Sequence, residues 1–119
     1  MKIAVSTQGQ DLNSALDPRF GRASGFLIYD DQSGEAEYIS NTQNLQAMQG
    51  AGIQTAQNVA QSGAKAVISG HVGPKAFSAL KAGGIAIYLC AQGTVQEALD
   101  ALKAGTLTQA QDADKPGHW

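Results

Sequence analysis

One cysteine and two histidines are all the thiol and imidazole that the 119 residues offer. Cys90 therefore closes no disulfide within the chain, and a cysteine-only metal site is excluded. A conventional iron-sulfur cluster takes about four thiolates or their histidine substitutes, a set this chain cannot supply. Charge is scarce as well, at 15% Asp, Glu, Lys and Arg, with a net charge of −2 and a pI near 5.5. No basic excess remains to hold a duplex, which argues against general nucleic-acid binding. No apolar run approaches the length of a membrane span, and Met1 to Ser6 is too short for the hydrophobic region of a signal peptide. No membrane partner and a cytoplasmic location are expected. A metal-dependent nuclease would cluster several carboxylates at strand ends; Ser6 and Ser69 stand at those places instead.

What is present reads as an α/β domain over residues 1–107, followed by a polar tail over 108–119. A hydrophobic fraction of 43% at this length can bury a core without disulfides. Lys2 to Ser6 and Phe26 to Asp30 are short apolar runs, as strands of a covered sheet are. Asp31 to Gly34 carries turn chemistry, so Glu35 to Ser40 is expected to return as a hairpin partner at a charged sheet edge. Between Gly50 and Gly63, Ile53, Ala56, Val59 and Ala60 recur at helical spacing. Ala66 to Ser69 is a fourth strand, Pro74 suits the first position of a second helix, and Gly83-Gly84 ends it. Ile85 to Leu89 is a fifth strand. Thr94-Val95-Gln96-Glu97 is a capping box for a third helix that Gly105 closes. Strands one, four and five would lie adjacent and parallel, with helices on both faces and with Thr7, His71 and Cys90 facing one crevice.

Two connections carry chemistry. The first is Gly70-His71-Val72-Gly73-Pro74-Lys75, which joins a buried strand to a helix. Its glycines leave backbone N–H groups at a helix start, where anions bind, beside one of the two histidines. The turn is too short for a Walker A loop and lacks the serine or threonine after the lysine. The alternative is that the glycines merely make a tight turn. The second is Asp17-Pro18-Arg19-Phe20-Gly21-Arg22-Ala23, whose two guanidinium groups suit anion recognition. Otherwise Arg19 or Arg22 pairs with Asp17 or Asp30 to fix the loop, and Phe20 plugs the core. Cys90 is either a small buried hydrophobe or a ligand. A Cys90-His71 nucleophile pair lacks a visible orienting group.

Asp17 to Ala23, Gly50 to Ala56, Gly73 to Phe77, Gly84 to Tyr88, Val95 to Leu99 and Ala104 to Leu107 together resemble the dinitrogenase iron-molybdenum cofactor biosynthesis family. Arg19-Phe20-Gly21-Arg22 is the most specific element of that resemblance. It implies a ribonuclease H-like three-layer α/β fold with a mixed five-stranded sheet of order 3-2-1-4-5. It also implies a noncatalytic carrier of a metal-sulfur cluster, either a molybdenum-copper sulfide or an iron-molybdenum precursor, held noncovalently. Because the chain is poor in cysteine and histidine, such a cluster must bring its own sulfide. Arg19, Phe20, Arg22, Gly70, His71, Val72, Gly73, Pro74 and Lys75 are then expected to cradle it, with His71 or Cys90 adding one bond to metal. The other reading is a regulatory module that binds a P-loop ATPase or cofactor-assembly protein and a small anion. A monomer or weak homodimer is expected.

Overall fold

A computed structural model of the protein describes residues 1–41, 51–90 and 92–111, with Ala51 described by its backbone alone. In chain order the elements are β1 (Lys2–Thr7), β2 (Gly25–Asp30), β3 (Ala36–Ser40), α1 (Ala51–Gln61), β4 (Ala64–Ser69), α2 (Pro74–Ala82), β5 (Ala86–Leu89), α3 (Val95–Ala104) and β6 (Thr108–Gln109).

Successive strand residues go to opposite faces of the sheet, and both faces are covered. Ala4, Phe26, Ile28, Val67 and Ile87 meet Ala56 and Val59 of α1 and Ala76, Phe77 and Leu80 of α2 in one cluster. Ile3, Val5, Leu27, Ala66 and Ile68 meet Val95, Ala98 and Leu99 of α3 in the other. The inner strands β1, β2 and β4 read as largely apolar runs because neither of their faces is left to water. The capping box forms as expected: the Glu97 amide donates to Thr94 Oγ1 at 3.1 Å, and the Thr94 amide donates to Glu97 Oε1 at 2.8 Å. Gly105 closes α3 in the left-handed region at φ 75°.

Among the described residues the sheet has six strands in the order β3-β2-β1-β4-β5-β6. β1 pairs antiparallel with β2 and parallel with β4, and β4 pairs parallel with β5. The expected order of five strands is present, and a sixth corrects the count. Thr108 and Gln109 pair antiparallel with Leu89 and Tyr88, and the Ala110 amide donates to the Ile87 carbonyl at 2.8 Å. Both β6 side chains are exposed, so no apolar alternation marks this strand in the sequence. The start of the predicted tail is thus part of the sheet. Its remainder, with His118 and Trp119, lies outside the described residues, as does Gly50.

The parallel strands β1, β4 and β5 end along one edge, and the segment between β1 and β2 folds back over that edge. The Asp17 amide donates to the Ser6 carbonyl at 2.9 Å, Leu16 to Gly93 at 2.9 Å and Phe20 to His71 at 3.1 Å. This segment fills the crevice expected between Thr7, His71 and Cys90. Thr7 is fully buried beneath it, bridged to Leu16, and so does not face a ligand.

Candidate functional site

At the end of β4 the chain passes close under the returning segment. A Cβ at Gly70 would lie 2.9 Å from both Cα and the carbonyl oxygen of Pro18, so glycine is required there by close approach. His71 then pairs with Arg19 as a parallel β-bridge, which sets the two side by side although 52 positions part them. Val72 turns inward and is 1% exposed. Gly73 caps α2 with φ −70° and ψ 170°, makes no side-chain cap, and is followed by Pro74 at the start of the helix. The first helical hydrogen bond runs from the Phe77 amide to the Gly73 carbonyl at 2.9 Å. The amides of Lys75 and Ala76 precede it in the first turn, whose N–H groups have no partner within the helix.

Gly73 needs to be glycine for neither backbone nor packing. Its φ is one any residue adopts, and a Cβ there would meet nothing within 4 Å. The missing side chain leaves the helix start open to an approaching group. Around it lies a cleft of about 570 Å³ bordered by Arg19, Phe20, Gly21, Arg22, Gly52, His71, Gly73, Pro74, Lys75 and Ala76. That volume falls within the range of small-ligand sites.

Among the described residues the lining of the cleft has one sign: Arg19, Arg22 and Lys75 border it, and no Asp or Glu does. Asp17 lies behind Arg19, fully buried. Its Oδ1 accepts the Arg19 amide at 3.0 Å and Nε at 3.3 Å. The ion pair that stood as the alternative role for this loop is therefore present at Arg19, whose side chain nonetheless stays 63% exposed. Among the described residues no three His, Cys, Asp or Glu side chains are grouped to hold a metal ion. The donor set does not fit a bare cation. It fits an anion that carries its own ligands, with His71 able to offer one imidazole bond. A second concavity of about 390 Å³ over α3 mixes Asp31 and Asp100 with Lys103, and its opposed charges give an anion no net attraction.

Seven of the residues singled out in the sequence border the cleft, six of them Arg19, Arg22, His71, Gly73, Pro74 and Lys75. Phe20 also borders it, but as floor. It is 1% exposed, with its ring 5.3 Å from that of Phe26, and offers no stacking surface. Gly70 and Val72 fall outside the lining, the one packed against Pro18 and the other in the core. Cys90 lies outside it too: its side chain packs against the α3-side cluster and its Sγ reaches the Gln92 carbonyl at 3.4 Å. Gly52 and Ala76 were not singled out. A Cβ on Gly52 would sit 3.2 Å from that of Ala76, so two small residues let α1 and α2 meet beside the cleft. Their signal is a contact between helices, invisible along either one.

The fold and site can be set beside known proteins. The apo form of the orange protein from Desulfovibrio gigas is 41% identical, with a TM-score of 0.93 over 96% of each chain. An NMR structure from Thermotoga, described as a NifB candidate of the DUF35 family, is 37% identical with a TM-score of 0.86 over 98% of each chain. An uncharacterized protein of Methanocaldococcus jannaschii is 34% identical over 110 residues, 90% of this chain and 89% of that one. The family model described as dinitrogenase iron-molybdenum cofactor matches residues 1–105, from β1 through the glycine that closes α3. That span contains the whole cleft, and the chain belongs to this family.

Proposed function

We infer that the cleft binds a preassembled, anionic metal-sulfur cluster and that the protein stores or delivers it for cofactor assembly without catalysing a reaction. The observation that carries this reading is the convergence of Arg19, Arg22 and Lys75 with His71 at the open start of α2, with no carboxylate among the described residues of the lining. Cations and helix-start amides attract an anion, while Pro74 and Ala76 give it apolar walls. Family membership supports a role around the iron-molybdenum cofactor. The similar orange protein of Desulfovibrio gigas was solved in its apo form. A molybdenum-copper sulfide or an iron-molybdenum precursor has the charge and the self-supplied sulfide that the cleft calls for.

Anaerobic titration with tetrathiomolybdate and Cu(I) tests the reading. A visible charge-transfer band saturating at fixed stoichiometry is expected, and His71→Ala should shift that band if the imidazole bonds to metal. Absence of a band with wild-type protein would overturn the carrier assignment. Preferential binding of inorganic phosphate would favour the regulatory reading, with a P-loop ATPase as partner.

A further inference from the structure

Among the described residues Asp17 is the one charged residue in the fully buried polar set at the strand ends, alongside Ser6, Thr7 and Ser69. Its backbone is tied at both ends of the residue. The amide donates to the Ser6 carbonyl at 2.9 Å, and the Asp17 carbonyl accepts Ser6 Oγ at 2.6 Å. Ser6 Oγ also meets Ser69 Oγ at 3.0 Å, so the carboxylate stands on the joined ends of β1 and β4. Oδ1 takes the Arg19 amide and Nε, and Oδ2 takes Nη2 at 3.5 Å.

The turn itself does not need this charge. An asparagine oxygen accepts the amide two residues on in the same way, and burying a carboxylate costs stability unless a cation compensates it. What the second oxygen adds is a grip on the guanidinium. Asparagine would present an NH2 donor to the Nη2 donor and lose that grip.

We propose that Asp17 is a positioning residue: its buried carboxylate holds the Nε edge of Arg19, so that the opposite edge is presented to an anion in the cleft already oriented. The ligand in this inference rests on the carrier reading above; the Asp17-Arg19 geometry does not. A guanidinium fixed in advance loses less freedom when the anion binds, an effect of roughly two- to tenfold in affinity for one long side chain. Asp17 acts through Arg19, so its effect must vanish when Arg19 is gone.

The test is a double-mutant cycle read with tetrathiomolybdate as probe, together with hydrogen exchange at Arg19 Nε followed by NMR in the unloaded protein. Asp17→Asn is expected to keep the fold, speed exchange at Arg19 Nε and weaken the probe several-fold. In the Arg19→Ala background, Asp17→Asn should change binding no further. An equal loss in both backgrounds, or tighter binding by Asp17→Asn, would overturn the proposal. So would Arg19 Nε exchanging in the wild type as fast as in an unfolded peptide, even where no probe binds. Wild-type protein that binds no probe but shows slow exchange at Nε defeats the carrier reading while supporting the Asp17-Arg19 geometry.

Discussion

Gly73 separates binding from folding better than any other residue of the cleft. Most glycines here answer to a turn or a close approach, as Gly70 does beneath Pro18. Gly73 answers to neither, so alanine should fit the backbone and leave stability unchanged or raised by up to about 1 kcal/mol through the unfolded state. Its methyl would nevertheless stand at the mouth of the cleft, over the uncapped first turn of α2. Gly73→Ala is therefore expected to keep or raise the thermal midpoint while weakening tetrathiomolybdate several-fold. Equal binding by variant and wild type would show that the ligand does not approach the start of α2. Such a residue is legible in sequence only as a glycine before a proline; that it is free of structural demand emerges from the space around it.

Among the elements, the β2-β3 hairpin shows how a turn written in the sequence becomes a pH-dependent contribution. Asp30 Oδ1 accepts the Gln32 amide at 2.9 Å, and the Gly34 amide returns to the Asp30 carbonyl at 2.8 Å. The Gln32 hydrogen bond is the largest cause that holds the Asp30 carboxyl below its ordinary value of 3.8; desolvation, next in size, opposes it, and Ser33, the N-terminal ammonium and Lys2 add to the lowering. A lowered folded-state value means that the charged form stabilises the native hairpin. That contribution is fully present above about pH 4, the unfolded value, and disappears as pH falls through the lower folded value. Asp30→Asn keeps an acceptor for Gln32 but removes the charge. Its thermal midpoint is expected to lie below that of the wild type at pH 7 and to converge with it below about pH 4; a constant gap across that range would assign the difference to packing. Elements of this kind were readable because their signals are local: turn residues at Asp31 to Gly34, the capping box at Thr94, Pro74 at a helix start. β6 was not, since a two-residue strand exposed on both faces carries no pattern. Nor was the path of residues 8–24, whose pairing of Arg19 with His71 joins distant positions through backbone hydrogen bonds that no side-chain period records.

At the scale of the molecule, a net charge of −2 stands against the binding of an anion, and the arrangement of charges resolves the conflict. Arg19, Arg22 and Lys75 gather at the C-terminal ends of β1 and β4. Asp30, Asp31 and Glu35 sit at the opposite end, where Lys2 of β1 pairs with Asp30. The length of β1 puts about 17 Å between the two ends, roughly twice the screening length of ~8 Å at physiological ionic strength. The ligand should therefore respond to the cleft and not to the total. Glu35→Gln combined with Asp100→Asn, both far from the cleft, brings the formal net charge from −2 to zero; at about 0.15 M salt this pair is expected to leave tetrathiomolybdate affinity within a factor of two. Arg22→Ala moves the net charge the other way by one and should weaken binding several-fold, with a deficit that widens as salt is lowered. Affinities measured across a salt series for the three proteins decide the matter. If the distant pair tightens binding as much as Arg22→Ala weakens it, the overall field governs capture, and the local constellation around His71 is not the site of recognition.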